Sequence, residues 1–107
     1  CYGGLGGPAV HATALGNVRR LRQFLPPELD AAGCGCVDSG DAAFRHLLCG
    51  AQAGMVASAL LTQGVGVLEK IEAELVEIMT RKGYKCIEDF QGKLKDGNNG
   101  SSCPSSK

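Results

Sequence analysis

The sequence has no excess of either charge: 11 Lys+Arg stand against 11 Asp+Glu over 107 residues. That balance argues against a nucleic-acid binder or a polybasic membrane binder, either of which would show a basic excess or stripe. No run approaches the ~18 apolar residues that a membrane-crossing helix needs. No secretory signal opens the chain, and no initiator Met stands at position 1. It starts at Cys1 within a glycine-rich stretch, which predicts a segment cut from something longer. Histidine is scarce. Only His11 and His46 occur, neither at a metal-ligand spacing, so no metal site is expected. Cysteine is not scarce, with six, but Cys34 and Cys36 are one residue apart. That spacing suits neither a relaxed intrachain bridge nor a C-x₂-C zinc knuckle, and the expectation is reduced, structural thiols.

What is present is 44% hydrophobic and 21% charged residues, the mix of a soluble globular chain. Sixteen glycines are about twice the usual share. Residues Tyr2 to Ala12 read as a glycine-rich loop. Thr13 is the expected N-cap of a helix with Leu15, Val18, Leu21 and Leu25 on one side, ended by Pro26-Pro27. Glu28 to Cys34 is a candidate short strand. Ser39 is the next expected N-cap, with Asp41 in the first turn, inward Phe44, Leu47 and Leu48, and Gly50 as terminator. Ala53 to Ala57 is a second strand candidate. From Val65 to Lys82, Leu68, Ile71, Leu75, Ile78 and Met79 fall at helical steps. The acids Glu69, Glu72, Glu74 and Glu77 read as a solvated face, and Gly83 closes that helix. Glu88 to Leu94 predicts one more short helical segment. Strands alternating with helices mean βα units and a parallel sheet. Two short strands cannot make such a sheet alone, so the expected fold is an incomplete α/β barrel or sheet.

Chemistry is expected where small residues end a strand and lead into a helix. Three places have that character: Gly6-Gly7, Gly33-Cys34-Gly35-Cys36, and Ala57-Ser58. Small residues admit close backbone approach, and successive amides can point together at an anion. In parallel barrels, phosphate is often held by the loops after strands 7 and 8 plus a short extra helix, which Ser58-Ala59-Leu60-Leu61 could begin. From spacing alone, service in tight βα turns is the favoured reading, and a phosphate cradle is the alternative. His46 reads as a helix-surface or packing residue rather than a base. Asp38 and Asp41 read as turn and cap acids.

The stretches YGGLGGPAVHATALGNVRRLRQFLPPEL, GCGCVDSGDAAFRHLLCGA and KGYKCIEDFQGKLK resemble, in order and spacing, the C-terminal third of class 1 dihydroorotate dehydrogenases. The resemblance implies the last βα units of a (β/α)8 TIM barrel over residues 1–95, with 96–107 a disordered Gly/Ser/Asn-rich tail. It implies an FMN-dependent, cytoplasmic homodimer that oxidises dihydroorotate to orotate in pyrimidine (UMP) synthesis, with fumarate as acceptor. Gly7 matches the family glycine that contacts the flavin. Gly35 and Cys36 fall on the Gly-Gly pair after strand 7, and Ala57 and Ser58 on the Gly-Thr pair after strand 8. These five are the implied FMN-binding residues. No catalytic residue is implied within the segment, because the family's base, lysine and orotate-holding asparagines lie upstream.

The chain departs from the family pattern at Cys36 and Ala57, at His11-Ala12 for a usual Lys-Pro, at Met55 for Gln, and at Ala31-Ala32 for bulkier aliphatics. A Cβ at 36 or 57 is expected to cost about 1–2 kcal/mol if left-handed backbone is required there. Reversion of both to glycine is therefore expected to tighten flavin binding. Two other readings stand beside the enzyme: a non-catalytic barrel fragment or pseudoenzyme module with an interaction role, and a different flavin or sugar-phosphate enzyme.

Overall fold

The computed structural model describes residues 2–95. Pro8, with its fixed φ, opens a 3-10 turn over Pro8–Val10 that runs directly into helix α1, His11–Phe24. The helix thus starts two residues before the expected cap. Thr13 lies inside it, and Val10 at the N-cap position makes no side-chain bond. Strand β1 is Ala32–Cys34, shorter than the expected Glu28–Cys34 because the chain after Pro26-Pro27 is held in a turn. Arg22 holds that turn, its guanidinium donating to the carbonyls of Leu29 (2.6 Å) and Pro26 (2.7 Å).

Helix α2, Gly40–Cys49, begins as expected: the Ser39 hydroxyl accepts from the Ala42 amide at 3.2 Å, and Gly50 closes the helix in left-handed conformation. Strand β2 is Ala53–Met55 rather than Ala53–Ala57. It lies parallel to β1 with Gly33 opposite Gly54, so β1-α2-β2 is a parallel crossover. Helix α3, Ser58–Gln63, is the expected short extra helix. The turn at 64–66 separates it from helix α4, Val67–Lys82, which therefore starts at Val67 and not Val65; Gly83 caps it in left-handed conformation. The segment expected to be helical over Glu88–Leu94 is a single 3-10 turn, Ile87–Asp89. The proposed tail at 96–107 lies outside the described residues, as do Cys1 and Cys103. The described cysteines Cys34, Cys36, Cys49 and Cys86 are free.

Three apolar clusters hold the helices. Phe44 and Leu47 of α2 meet Ile78 of α4 and Phe90, with Tyr84 partly buried against them. The Phe44 and Phe90 rings lie 4.7 Å apart. Val37, Ala43, Ala59, Val67 and Ile71 form the second cluster, which seats α3. Val18, Cys49 and Ala51 form the third, under α1. Where α2 crosses α4, Gly40 is buried: a Cβ there would overlap Glu74 and come within 2.5 Å of the Leu75 amide nitrogen. Glu74 also accepts from the Gly40 amide at 2.7 Å. This member of the expected solvated acidic face instead satisfies an orphan donor at the start of α2. Gly33 of β1 is buried against His46 of α2, while Ala32 and Cys34 of β1 and all three residues of β2 stay exposed.

Candidate functional site

The loops entering α1, leaving β1 and leaving β2 converge on one hollow of about 280 Å³. Gly7 and Pro8 line it from the first loop, Cys36, Val37 and Asp38 from the second, and Ser58, Ala59, Thr62 and Gln63 from α3. The approach is close. A Cβ on Gly6 would sit 2.7 Å from the Ser58 hydroxyl oxygen. Of the five residues singled out by sequence, Gly7, Cys36 and Ser58 therefore share one cavity wall. Gly35 and Ala57 precede two of them without lining it.

The backbone differs between the two substituted positions. Cys36 has φ +54°, the one positive-φ residue besides glycine among the described residues. It follows Gly35 at +124°, so two successive residues take left-handed φ. Ala57 has φ −132°, outside the left-handed region, so the left-handed penalty expected at 57 does not arise. It does arise at 36. Gly35 is needed for space as well as angle, since a Cβ there would come within 2.5 Å of the Ala14 Cβ on α1.

Asp38 is the residue whose place the sequence did not disclose. Ser39 does the capping, and Asp38 instead joins the lining of the hollow. The Cys36 thiol is pushed above the ordinary thiol range, first by burial, then by the Asp38 charge and by its hydrogen bond to that carboxylate. Among the described residues no Lys or Arg lines the hollow, and Asp38 is its one charged lining residue.

Beneath the Gly35–Cys36 turn lies His46, which is 0% exposed. It is a packing residue and not a surface one. Its Nε2 lies 2.9 Å from the Gly35 carbonyl oxygen, which can only accept, so Nε2 carries the proton. The His11 ring meets the His46 ring edge to face with centroids 6.0 Å apart. Among the described residues no group of three or more metal-ligating side chains occurs. No helix is long and apolar enough to cross a membrane among those residues.

Comparison with known proteins gives the following. A family model described as dihydroorotate dehydrogenase matches residues 1–79. The chain is 46% identical over 94 residues to dihydroorotate dehydrogenase A (fumarate) of Lactococcus lactis subsp. cremoris, covering 88% of this chain and 30% of that protein. It is 47% identical over 93 residues to dihydroorotate dehydrogenase (fumarate) of Saccharomyces cerevisiae, covering 87% and 30%. Its fold superposes on a crystal structure of ligand-free DHODH from Eimeria tenella with TM-score 0.80, at 22% identity, over 87% of this chain and 26% of that one. The chain thus spans about 30% of the length of the curated relatives it matches.

Proposed function

This chain belongs to the dihydroorotate dehydrogenase family of FMN oxidoreductases, and we propose that it is the C-terminal, FMN-phosphate-binding portion of a fumarate-type member. In this reading β1 and β2 are the seventh and eighth strands of a (β/α)8 barrel. The whole protein oxidises dihydroorotate to orotate for UMP synthesis in the cytoplasm, passes electrons to fumarate, and works as a homodimer. The exposure of Ala32 and Cys34 of β1 and of all of β2 is what a partial barrel leaves uncovered.

One observation carries the proposal: Gly7, Cys36 and Ser58, far apart in sequence, line a single hollow. Its chemistry fits a phosphate in backbone and donors. Gly7, Gly35 and Cys36 take positive φ around the hollow, and Ser58 brings a hydroxyl to its lining, whereas Thr62 donates its own to the α3 carbonyls of Ser58 and Ala59. FMN, when bound, supplies the hydride-accepting ring; these residues would only anchor its phosphate end. They include no group placed to move a substrate proton. The isolated segment should show no dihydroorotate oxidation, and turnover by residues 1–107 alone would refute this assignment of roles.

The decisive experiment compares FMN with riboflavin, which lacks the phosphate, by flavin fluorescence titration of the full-length protein. FMN should bind at least about tenfold more tightly, a difference of ~1.4 kcal/mol. Equal binding of both, or none, would overturn the proposal. It would favour the second reading, a non-catalytic module with an interaction role. Asp38 in the lining is the observation on that side.

A further inference from the structure

We propose that His46 is a positioning residue that aims the Cys36 amide into the hollow. Three features of the buried turn lead there. First, the His46 ring is fixed from several sides. It is wholly buried, it donates through Nε2 to the Gly35 carbonyl at 2.9 Å, and His11 packs edge to face against it. Second, strand β1 makes room for this ring at Gly33. A Cβ on Gly33 would collide with His46 Nδ1 and lie 3.1 Å from its Cγ. Third, the Gly35–Cys36 peptide is trans, so its N–H points opposite to its C=O. With the Gly35 carbonyl tied down to the buried ring, the Cys36 N–H turns the other way, toward the side on which Cys36 lines the hollow. Among the described residues that amide donates to no protein group.

Of the two orientations open to this peptide, the present one holds the L-residue Cys36 at φ +54° at a steric cost that a flip to negative φ would relieve. The hydrogen bond from His46 chooses between them. Among the described residues no Lys or Arg lines the hollow, so on this wall an anion would meet backbone amides and the Ser58 hydroxyl. Losing control of one such amide should weaken phosphate binding about tenfold, the ratio that corresponds to ~1.4 kcal/mol.

His46 as a positioning residue deepens the phosphate reading of the hollow and rests on it, so the test keeps the two apart. In the full-length protein, His46→Gln keeps an N–H donor at the reach of Nε2, and His46→Leu removes it. His46→Asn, whose amide ends short of the Gly35 carbonyl, serves as a second donor-deficient variant should the leucine protein fail to fold. The first readout is the FMN-to-riboflavin affinity ratio. It should fall about tenfold in the Leu and Asn variants, through FMN alone, and stay within about threefold of wild type in the Gln variant. Equal weakening of both flavins, or no weakening, overturns the proposal. The second readout needs no flavin: the ¹⁵N–¹H resonance of the Cys36 amide should move in the Leu and Asn variants and hold in the Gln variant. A resonance unmoved by loss of the donor overturns the proposal whatever the flavins do. Wild-type protein that binds FMN and riboflavin alike overturns the phosphate reading instead, and the amide resonance then decides the orientation by itself.

Discussion

Replacing Cys36 with glycine should stabilise the protein, because Cys36 is a non-glycine residue at φ +54°. Left-handed backbone costs an L-residue about 1–2 kcal/mol. Glycine relieves that strain but loses more freedom on folding, an opposing effect of about 0.5–1 kcal/mol. The net expectation is a gain of roughly 0.5–1 kcal/mol. The thiol itself complicates a two-way comparison, since it is hydrogen-bonded to Asp38. Cys36→Ala removes the same thiol and keeps the strained Cβ, so the Gly-minus-Ala difference isolates the backbone. In urea unfolding of the full-length protein, the glycine midpoint should exceed the alanine one by about 0.3 M at unchanged slope. FMN should also bind more tightly to the glycine variant. Ala57→Gly is the contrasting case. At φ −132° the alanine carries no such strain, so glycine there should lower stability by about 0.5–1 kcal/mol. A Cys36→Gly protein no more stable than Cys36→Ala, or an Ala57→Gly protein that gains as much, would refute the reasoning.

Three further outcomes follow from contacts elsewhere. Gly40→Ala should destabilise by about 1–3 kcal/mol in chemical denaturation, because its Cβ would press on the α4 backbone at Leu75. Ser39→Ala should cost about 1 kcal/mol by removing the bond to the Ala42 amide, with Ser39→Asp largely restoring it. The Asp89 carboxyl is held below the ordinary carboxylate range, first by the amides of Lys85 and Cys86, then by the Cys86 thiol. A depressed folded value stabilises above the unfolded value, and that contribution is lost as pH falls through the folded value. Stability measured across the acidic range should therefore fall less steeply in Asp89→Asn than in wild type, and parallel curves would contradict this.

Local signals in the sequence located most elements, and the departures share one cause. Ser39 before Gly40-Asp41, Gly50 and Gly83 act within one turn of their own positions, and each caps as its residue type dictates. Thr13 failed as a cap because Pro8 had already started the chain turning. The break at 64–66 between α3 and α4 hid inside a continuous apolar pattern. Glu74 and His46 were beyond local reading altogether. Their partners, Gly40 at 34 residues' separation and Gly35 at 11, exist only once the helices have packed. At the hollow, small residues at strand ends pointed to Gly7, Cys36 and Ser58. Asp38 was not legible as a lining residue, because its place depends on the left-handed path at Gly35 and Cys36.

That path also governs how the departures from the family pattern bear on an anion. Cys36 sits at left-handed φ and lines the hollow; Ala57 takes no left-handed φ and does not line it; Ser58 keeps a hydroxyl on the wall. None of these three changes closes the hollow. The larger opposing effect is electrostatic. An Asp38 carboxylate about 5 Å from a phosphate would repel it by roughly 3 kcal/mol per unit charge at an effective dielectric near 20, and by far less where water reaches both. Asp38→Asn should therefore strengthen FMN binding, most at low salt, while leaving riboflavin unchanged. It should also bring the Cys36 thiol part of the way back to the ordinary range, so that iodoacetamide alkylates it at lower pH, burial accounting for the remainder. A salt-independent effect, or one shared by riboflavin, would mean that the phosphate does not approach Asp38. The hollow would then lose its claim on the anionic end of the flavin.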